Sequence, residues 1–368
     1  MSSENGRKEH QKKSHKESNQ KRVKEKSKFK LKIITRKALI RLSLFAVVTA
    51  AILALGYKTM VTMPGKSYEG PLPKLSQGQE ILRDELHRDV QELAEGIGQR
   101  NVWNYEQLNE AVDFIESSLA EVGYKVRRQS FTAQKETCYN LEVEIIGAVK
   151  PEEIIIIGAH YDSVFGTVGA NDNGSGVAAV LSLARRFRDK KVDRTLRFVL
   201  FVNEEPPFFQ TESMGSLVYA KSCRKKSENI VGMLSLETIG YYTDKPKSQQ
   251  YPFPFSMFYP STGNFIGFVS NVSSRQLLKQ VIQTFRENCK FPSEGGAVPE
   301  FVPGIGWSDH WAFWKQGYPA VMVTDTAPFR YPYYHGPQDT PDKINYERLA
   351  VVVSGLEIVV GKLANAVE

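Results

Sequence analysis

Glu153-Ile154-Ile155-Ile156-Ile157-Gly158-Ala159-His160-Tyr161-Asp162 is the stretch from which the fold is read. A strand with one wet face alternates apolar and polar residues, so four consecutive isoleucines point to a strand buried on both faces. Such strands belong to sheets with helices packed on each side. The pattern recurs outward from this run. Apolar runs at 139–146, 197–203, 232–239 and 319–325 are further strand candidates. Helical periodicity at 77–95, 104–122, 175–188, 212–224, 274–289, 308–317 and 345–364 fills the intervals. The alternation predicts an α/β fold, a mostly parallel central sheet with helices on both faces. No internal repeat is visible.

In open α/β sheets the ligand crevice lies beyond the carboxyl ends of the strands, so the residues just after each run matter most. His160 and Asp162 come after the isoleucines, and the loop Gly169 to Gly176 (GANDNGSG) carries Asp172 just before a helix. Glu204 and Glu205 come after the 197–203 run, Glu237 follows Met233 to Leu236 (MLSL) within the 232–239 run, and a Tyr/Pro-rich loop delivers Tyr334 and His335. Of six histidines, His10 and His15 lie in a basic tail and His87 on an early helix; His160, His310 and His335 all fall after strands or at helix starts. Imidazole with carboxylate is a Zn²⁺ ligand set, and the lack of paired thiolates favours a catalytic over a structural site. A two-metal site needs a bridging carboxylate, which suits Asp172. Each piece alone has a plain reading: a His-x-Asp is often a surface turn, and the Gly-rich loop lacks the GxGxxG or Lys-Ser/Thr ending of phosphate loops. The joint order is far more specific.

That order, HYDS, GANDNGSG, NEE, ETIG, SDHWAF and YHGPQDTPDKI, resembles the co-catalytic zinc exopeptidases, which include bacterial leucyl aminopeptidases, glutamate carboxypeptidase II and glutaminyl cyclase relatives. The resemblance covers about residues 77–364. It implies two Zn²⁺ ions per subunit, one held by His160, Asp172 and Glu237, the other by Asp172, Glu205 and His335. It further implies Glu204 as general base, Asp162 orienting His160, Asp309 and His310 supporting the site or the substrate, and Tyr334 donating to an oxyanion. Peptides are the implied substrates, and aminopeptidase action is the leading expectation. Glu237 stands where aminopeptidases of this type usually carry Asp, which keeps a carboxypeptidase or N-acyl amino acid hydrolase open. An inactive binding ectodomain or a glutaminyl cyclase is a further alternative. The turn after Glu205 is expanded through Ser216, and Lys245 to Pro260 (KPKSQQYPFPFSMFYP) reads either as a pocket wall or as a loop packed over the core.

The composition of the 368 residues fits a globular chain: 41% hydrophobic, 11% aromatic and 24% charged. The net charge of +7 is local. Residues 1–41 hold 15 Lys+Arg and 4 Asp+Glu, a net of +11, which leaves the rest at −4. This removes the case for nucleic acid. The sequence divides into a disordered basic tail (1–37), a transmembrane helix (38–57), a Pro/Gly-rich linker (58–74) and a zinc peptidase domain (75–368). Leu42 to Tyr57 is uncharged, and the positive-inside rule puts the tail in the cytoplasm and the domain outside the cell membrane. The tail also suits anionic lipid. Cleavage near Gly56 would instead release a secreted domain. Cys138, Cys223 and Cys289 form no CxxC pair. Asn173-Gly174-Ser175 is a formal glycosylation sequon inside the metal-type loop, tolerable only if it is hidden or never modified.

Overall fold

The computed structural model describes residues 15–18 and 35–365. Most of the tail read as disordered therefore lies outside the described residues; 15–18 form one helical turn. The chain divides into two compact units, Met1–Tyr57 and Lys58–Glu368. Helix α1 (Arg36–Met60) is 25 residues, long and apolar enough to cross a membrane, and none of its side chains is buried.

The second unit is built on one eight-stranded sheet in the order β1-β2-β4-β3-β5-β8-β6-β7. The strands are β1 (Arg127–Ala133), β2 (Glu136–Ile145), β3 (Lys150–His160), β4 (Arg194–Phe201), β5 (Asn229–Glu237), β6 (Ile266–Ser270), β7 (Ser293–Ala297) and β8 (Ala320–Thr324). Strands β4, β3, β5 and β8 run parallel at the centre. The pairs β1–β2, β2–β4 and β6–β8 are antiparallel, so the sheet is mixed at its flanks. The isoleucine run explains itself in this setting. Ile155 and Ile157 enter the larger core, with helices α2 (Gln77–Gln91), α3 (Tyr105–Ala120), α4 (Gly176–Phe187), α6 (Arg275–Asn288) and α8 (Tyr346–Ala364). Ile154 and Ile156 face the other way, into a smaller core with α5 (Gly215–Lys225) and α7 (His310–Lys315). Each buried isoleucine contributes roughly 1.5–3 kcal/mol relative to exposure.

Local signals agree with the elements. Ser76 caps α2 through the backbone N–H of Gln79, whose side chain returns the bond to Ser76 N–H at 3.0 Å. The sequence reading misses β1, β6 and β7. β1 is a largely exposed edge strand, and β7 reads Ser-Glu-Gly-Gly-Ala, with no apolar periodicity to detect. Beyond Met60 the Pro/Gly-rich stretch read as a linker is pinned to the domain: Arg286 donates to Pro64 O at 3.0 Å and Ser293 N–H to Ser67 Oγ at 2.9 Å.

Candidate metal centre

Three central strands end together, so β3, β4 and β5 deliver His160, then Glu204 and Glu205, then Glu237 to one edge. His160 Nε2 lies 3.4 Å from Asp172 Oδ1 and 3.3 Å from Glu237 Oε2. His335 Nε2 lies 3.2 Å from Asp172 Oδ2 and 3.2 Å from Glu205 Oε2. Asp172 thus turns one oxygen toward each trio. Ligand atoms about 2.0–2.1 Å from a tetrahedral zinc stand roughly 3.3 Å apart, which is the spacing of each histidine from its two carboxylates, and all ligand atoms of a trio lie within 4.8 Å of one another. Glu205 Oε1 is buried without a hydrogen bond. Glu204 belongs to neither trio, though with His160 and Glu205 it forms a third group close enough to hold an ion, its Oε2 3.8 Å from His160 Nε2.

The electrostatics call for a cation. Burial, reinforced by neighbouring carboxylates, pushes Glu204 well above the usual carboxylate range and Glu205 up to about 8. Burial opposes charge on His160, but Glu237 and Glu204 outweigh it and its pKa rises. These buried anions lie around the two imidazoles, which is the donor set that a divalent cation neutralises.

The loop bearing Asp172 is held from several sides. Asp339 accepts the backbone N–H of Asn171 at 2.8 Å and of Asp172 at 3.0 Å. Asn171 donates to Asp325 at 2.9 Å, and Asn173 Nδ2 donates to Leu236 O at 2.8 Å. The sequon asparagine is therefore buried and committed to the interior. Asp162 accepts the N–H groups of Glu204 and Glu205, both at 3.1 Å, and so sets the two carboxylates' backbone. His160 Nδ1 is 3.2 Å from the Asp162 carbonyl and 3.5 Å from its carboxylate. Ser308 donates to Glu237 Oε2 at 2.8 Å. Asn203 (φ 59), Thr238 (φ 42) and His335 (φ 55) adopt left-handed backbone beside or within the cluster. Such strain, of order 1–3 kcal/mol each, collects at functional sites.

A family model described as peptidase family M28 matches residues 140–356. The chain belongs to peptidase family M28. It is accordingly a zinc-dependent metallopeptidase. Uncharacterized protein YfbL of Escherichia coli (strain K12) is 36% identical over 282 residues, covering 74% of this chain and 86% of that one. In fold the chain is similar to BSAP, a zinc aminopeptidase from Bacillus subtilis, with TM-score 0.62, 15% identity, 77% of this chain and 95% of that one. It is likewise similar to Fimbriiglobus ruber glutaminyl cyclase, with TM-score 0.57, 20% identity, 80% of this chain and 97% of that one.

Several groups around this M28 centre carry little or no sequence signal. Arg100 is fully buried behind it and donates to the carbonyls of Tyr161, Leu93, Gly98, Val168 and Gly169 at 2.5–3.0 Å. It ties the end of β3 to the loop carrying Asp172, and burial lowers its pKa to about 10, still charged at neutral pH. Asp325 ends a predicted strand and Asp339 lies in the YHGPQDTPDKI motif, so position was the available hint; for Arg100 there was none. Asp309 is buried near the cluster, and burial pushes it up to about 7. His310 packs edge-on against Trp314, with Nε2 2.7 Å from Ile305 O, and among the described contacts it touches neither trio. Tyr334 stacks on His335 with centroids 3.9 Å apart, and burial raises its pKa so that it stays a protonated donor.

Beside the cluster lies an apolar cleft of about 120 Å³ that shares Glu237 and Tyr334 with it. Tyr251, Phe255, Phe265, Trp307, Met322 and Phe329 supply much of its wall. The 245–260 segment thus serves as a wall, one of the two readings open from sequence. Among the described residues no Lys or Arg lines the cleft.

Proposed function

We propose that this M28 peptidase is a membrane-anchored exopeptidase that removes residues from the amino end of peptides, with α1 as anchor and the catalytic unit outside the cytoplasm. The observation that carries the direction of attack is the make-up of the cleft's wall: among the described residues no Lys or Arg lines it, and its two acids are Glu237, a member of the metal cluster, and Glu294, which lies 3.8 Å from Arg286. A terminal carboxylate requires a cationic side chain to receive it, and this wall offers none, whereas a terminal amine has no such need.

In this reading His160, Asp172 and Glu237 hold one zinc, and Asp172, Glu205 and His335 hold a second. Bound there, zinc supplies Lewis acidity that polarises the scissile carbonyl and acidifies water. Glu204, spent on neither trio, accepts the attacking water's proton and returns it to the leaving nitrogen. Asp162 keeps Glu204 and Glu205 in register through their N–H groups. Tyr334 donates to the oxygen that gains charge at the substrate carbonyl, and the apolar cleft receives the side chain.

The test uses the full chain in detergent or nanodiscs with zinc, assayed against matched peptides bearing free, N-acetylated or C-amidated ends, beside Glu204→Gln. Cleavage that needs a free amine and disappears in Glu204→Gln is the expected result. Cleavage that needs a free carboxylate, or removes the acyl group, would instead make this a carboxypeptidase or N-acyl hydrolase, the reading that Glu237 in place of Asp favours.

A further inference from the structure

The rims of the apolar cleft expose large apolar side chains that the proposed chemistry does not use. Phe253 is 87% and Met257 72% exposed on the loop 251–259, and Phe301 is 86% exposed beside Val302, which also lines the cleft. Solvated aromatics at this density mark an interaction surface. Lys245 and Lys247, also exposed, precede the aromatics on the same segment. Lysine beside aromatic residues is the composition that proteins place at lipid headgroups.

The position of this loop decides which partner it meets. Tyr259, at its base, donates its hydroxyl to Gly295 O of β7 at 2.8 Å. A Cβ on Gly296, the next residue, would stand 2.9 Å from Tyr259 Oη and 3.9 Å from Met60 O. Arg275 at the start of α6 holds the neighbouring carbonyls, donating to Lys58 O at 3.0 Å and to Thr59 O. The residues directly after the apolar run 42–57 are therefore fastened at the strand that anchors the aromatic loop. The last residue of that run, Tyr57, is three residues before Met60 in the sequence.

We propose that the rim formed by the 251–259 loop and Phe301 docks into the headgroup region of the bilayer that α1 enters, holding the mouth of the cleft against the lipid surface. The proposal rests on reading α1 as a membrane anchor. Burial of Met257, Phe253 and Phe301 among acyl-chain ends adds apolar contact to the single helix, and Lys245 and Lys247 meet the phosphates.

The test labels the full chain with an environment-sensitive dye at Met257→Cys or Phe301→Cys, with Val149→Cys as control. Val149 is exposed just before β3, four strands away from β7 in the sheet, and the three native cysteines are buried. Proteins are reconstituted into vesicles containing anionic lipid, with or without brominated acyl chains. The expected result is blue-shifted emission at 257 and 301, lost with brominated lipid, and no change at 149. Labels at 257 and 301 that stay quenchable by aqueous iodide to the same degree as 149, on chains that float with the vesicles, would overturn the docking and leave the rim to a soluble partner or a second copy. Chains that fail to float would instead overturn the anchor reading on which the proposal stands, so the two failures are separable. Peptide turnover measured on each labelled chain checks that the catalytic unit is intact.

Discussion

The acidic cluster and the apolar cleft share Glu237 and Tyr334, yet they are assembled by different means. The cluster hangs on the ends of parallel strands: β3 ends in His160, β5 ends in Glu237, and Glu204 and Glu205 lie within a few residues of the end of β4. Its geometry is locked from behind by hydrogen bonds to backbone N–H and carbonyl groups from Asp162, Asp339 and Arg100. The cleft is closed by loops, with Tyr251, Phe255, Trp307 and Phe329 contributed from segments far apart in the chain. Strand ends are placed by a buried sheet that permits little movement, whereas the loops are held by side-chain contact and scattered hydrogen bonds such as Gln250 N–H to Phe329 O at 2.8 Å. The cluster should therefore tolerate no substitution, while the cleft should tune selectivity by degrees.

The largest break expected in that contrast is Glu204→Gln. Turnover should fall by about 10²–10⁴ while zinc content, read by atomic absorption, stays at the wild-type level. Loss of zinc along with turnover would make Glu204 a ligand instead.

Arg100→Met tests the backing of the cluster from a position that touches no substrate. It takes a donor from five carbonyls, of which, among the described contacts, only Leu93 O and Gly169 O keep a backbone N–H, so denaturant unfolding should show a loss of at least about 3 kcal/mol, with weaker zinc retention as Asp172 loosens. An unchanged unfolding midpoint would show that the loop does not depend on this arginine.

His310 gives the comparison a pH axis. Burial lowers its pKa to about 4 from 6.5, so the folded state holds the ring neutral. Stability from this group is complete above pH 6.5 and is lost as pH falls toward 4, because the unfolded chain takes up the proton first. The loss reaches about 3 kcal/mol by pH 4, and His310→Gln should flatten that part of the unfolding profile. A wild-type profile that is level over this range would contradict the buried neutral ring.

Tyr334→Phe should lower kcat by about a hundredfold with little change in KM, as expected of a lost donor to a developing oxyanion. The smallest effect belongs to the cleft. Phe329→Ala removes a wall that stacks on Trp307 and should raise KM for bulky apolar residues by roughly tenfold, leaving kcat for small ones nearly intact. Equal losses on all substrates would place Phe329 in the cluster's support instead.

The contrast also accounts for the features legible in the residues alone. Ile154 to Ile157 announced a strand wet on neither face, because period-2 geometry sends alternate side chains to opposite cores. Polar residues of metal-ligand type after successive apolar runs marked one sheet edge, because parallel strands finish on the same side. β7 and β1 escaped notice, one rich in glycine and one an exposed polar edge, since neither buries enough apolar surface to impose a pattern. Arg100 escaped for a different reason: a single arginine in a polar stretch shows nothing of the five carbonyls folded around it.

The order of chemical groups along this chain, and with it the family and the kind of centre, was thus determined by the sequence itself, because ligand identity and strand periodicity are local properties. Tertiary structure alone decided that Asp172 faces two imidazoles at once, that Asp339 and Arg100 brace it, and that among the described residues no Lys or Arg lines the adjoining cleft. Those facts depend on distances between residues up to 168 positions apart, such as Asn171 and Asp339. Only the packed sheet sets such distances.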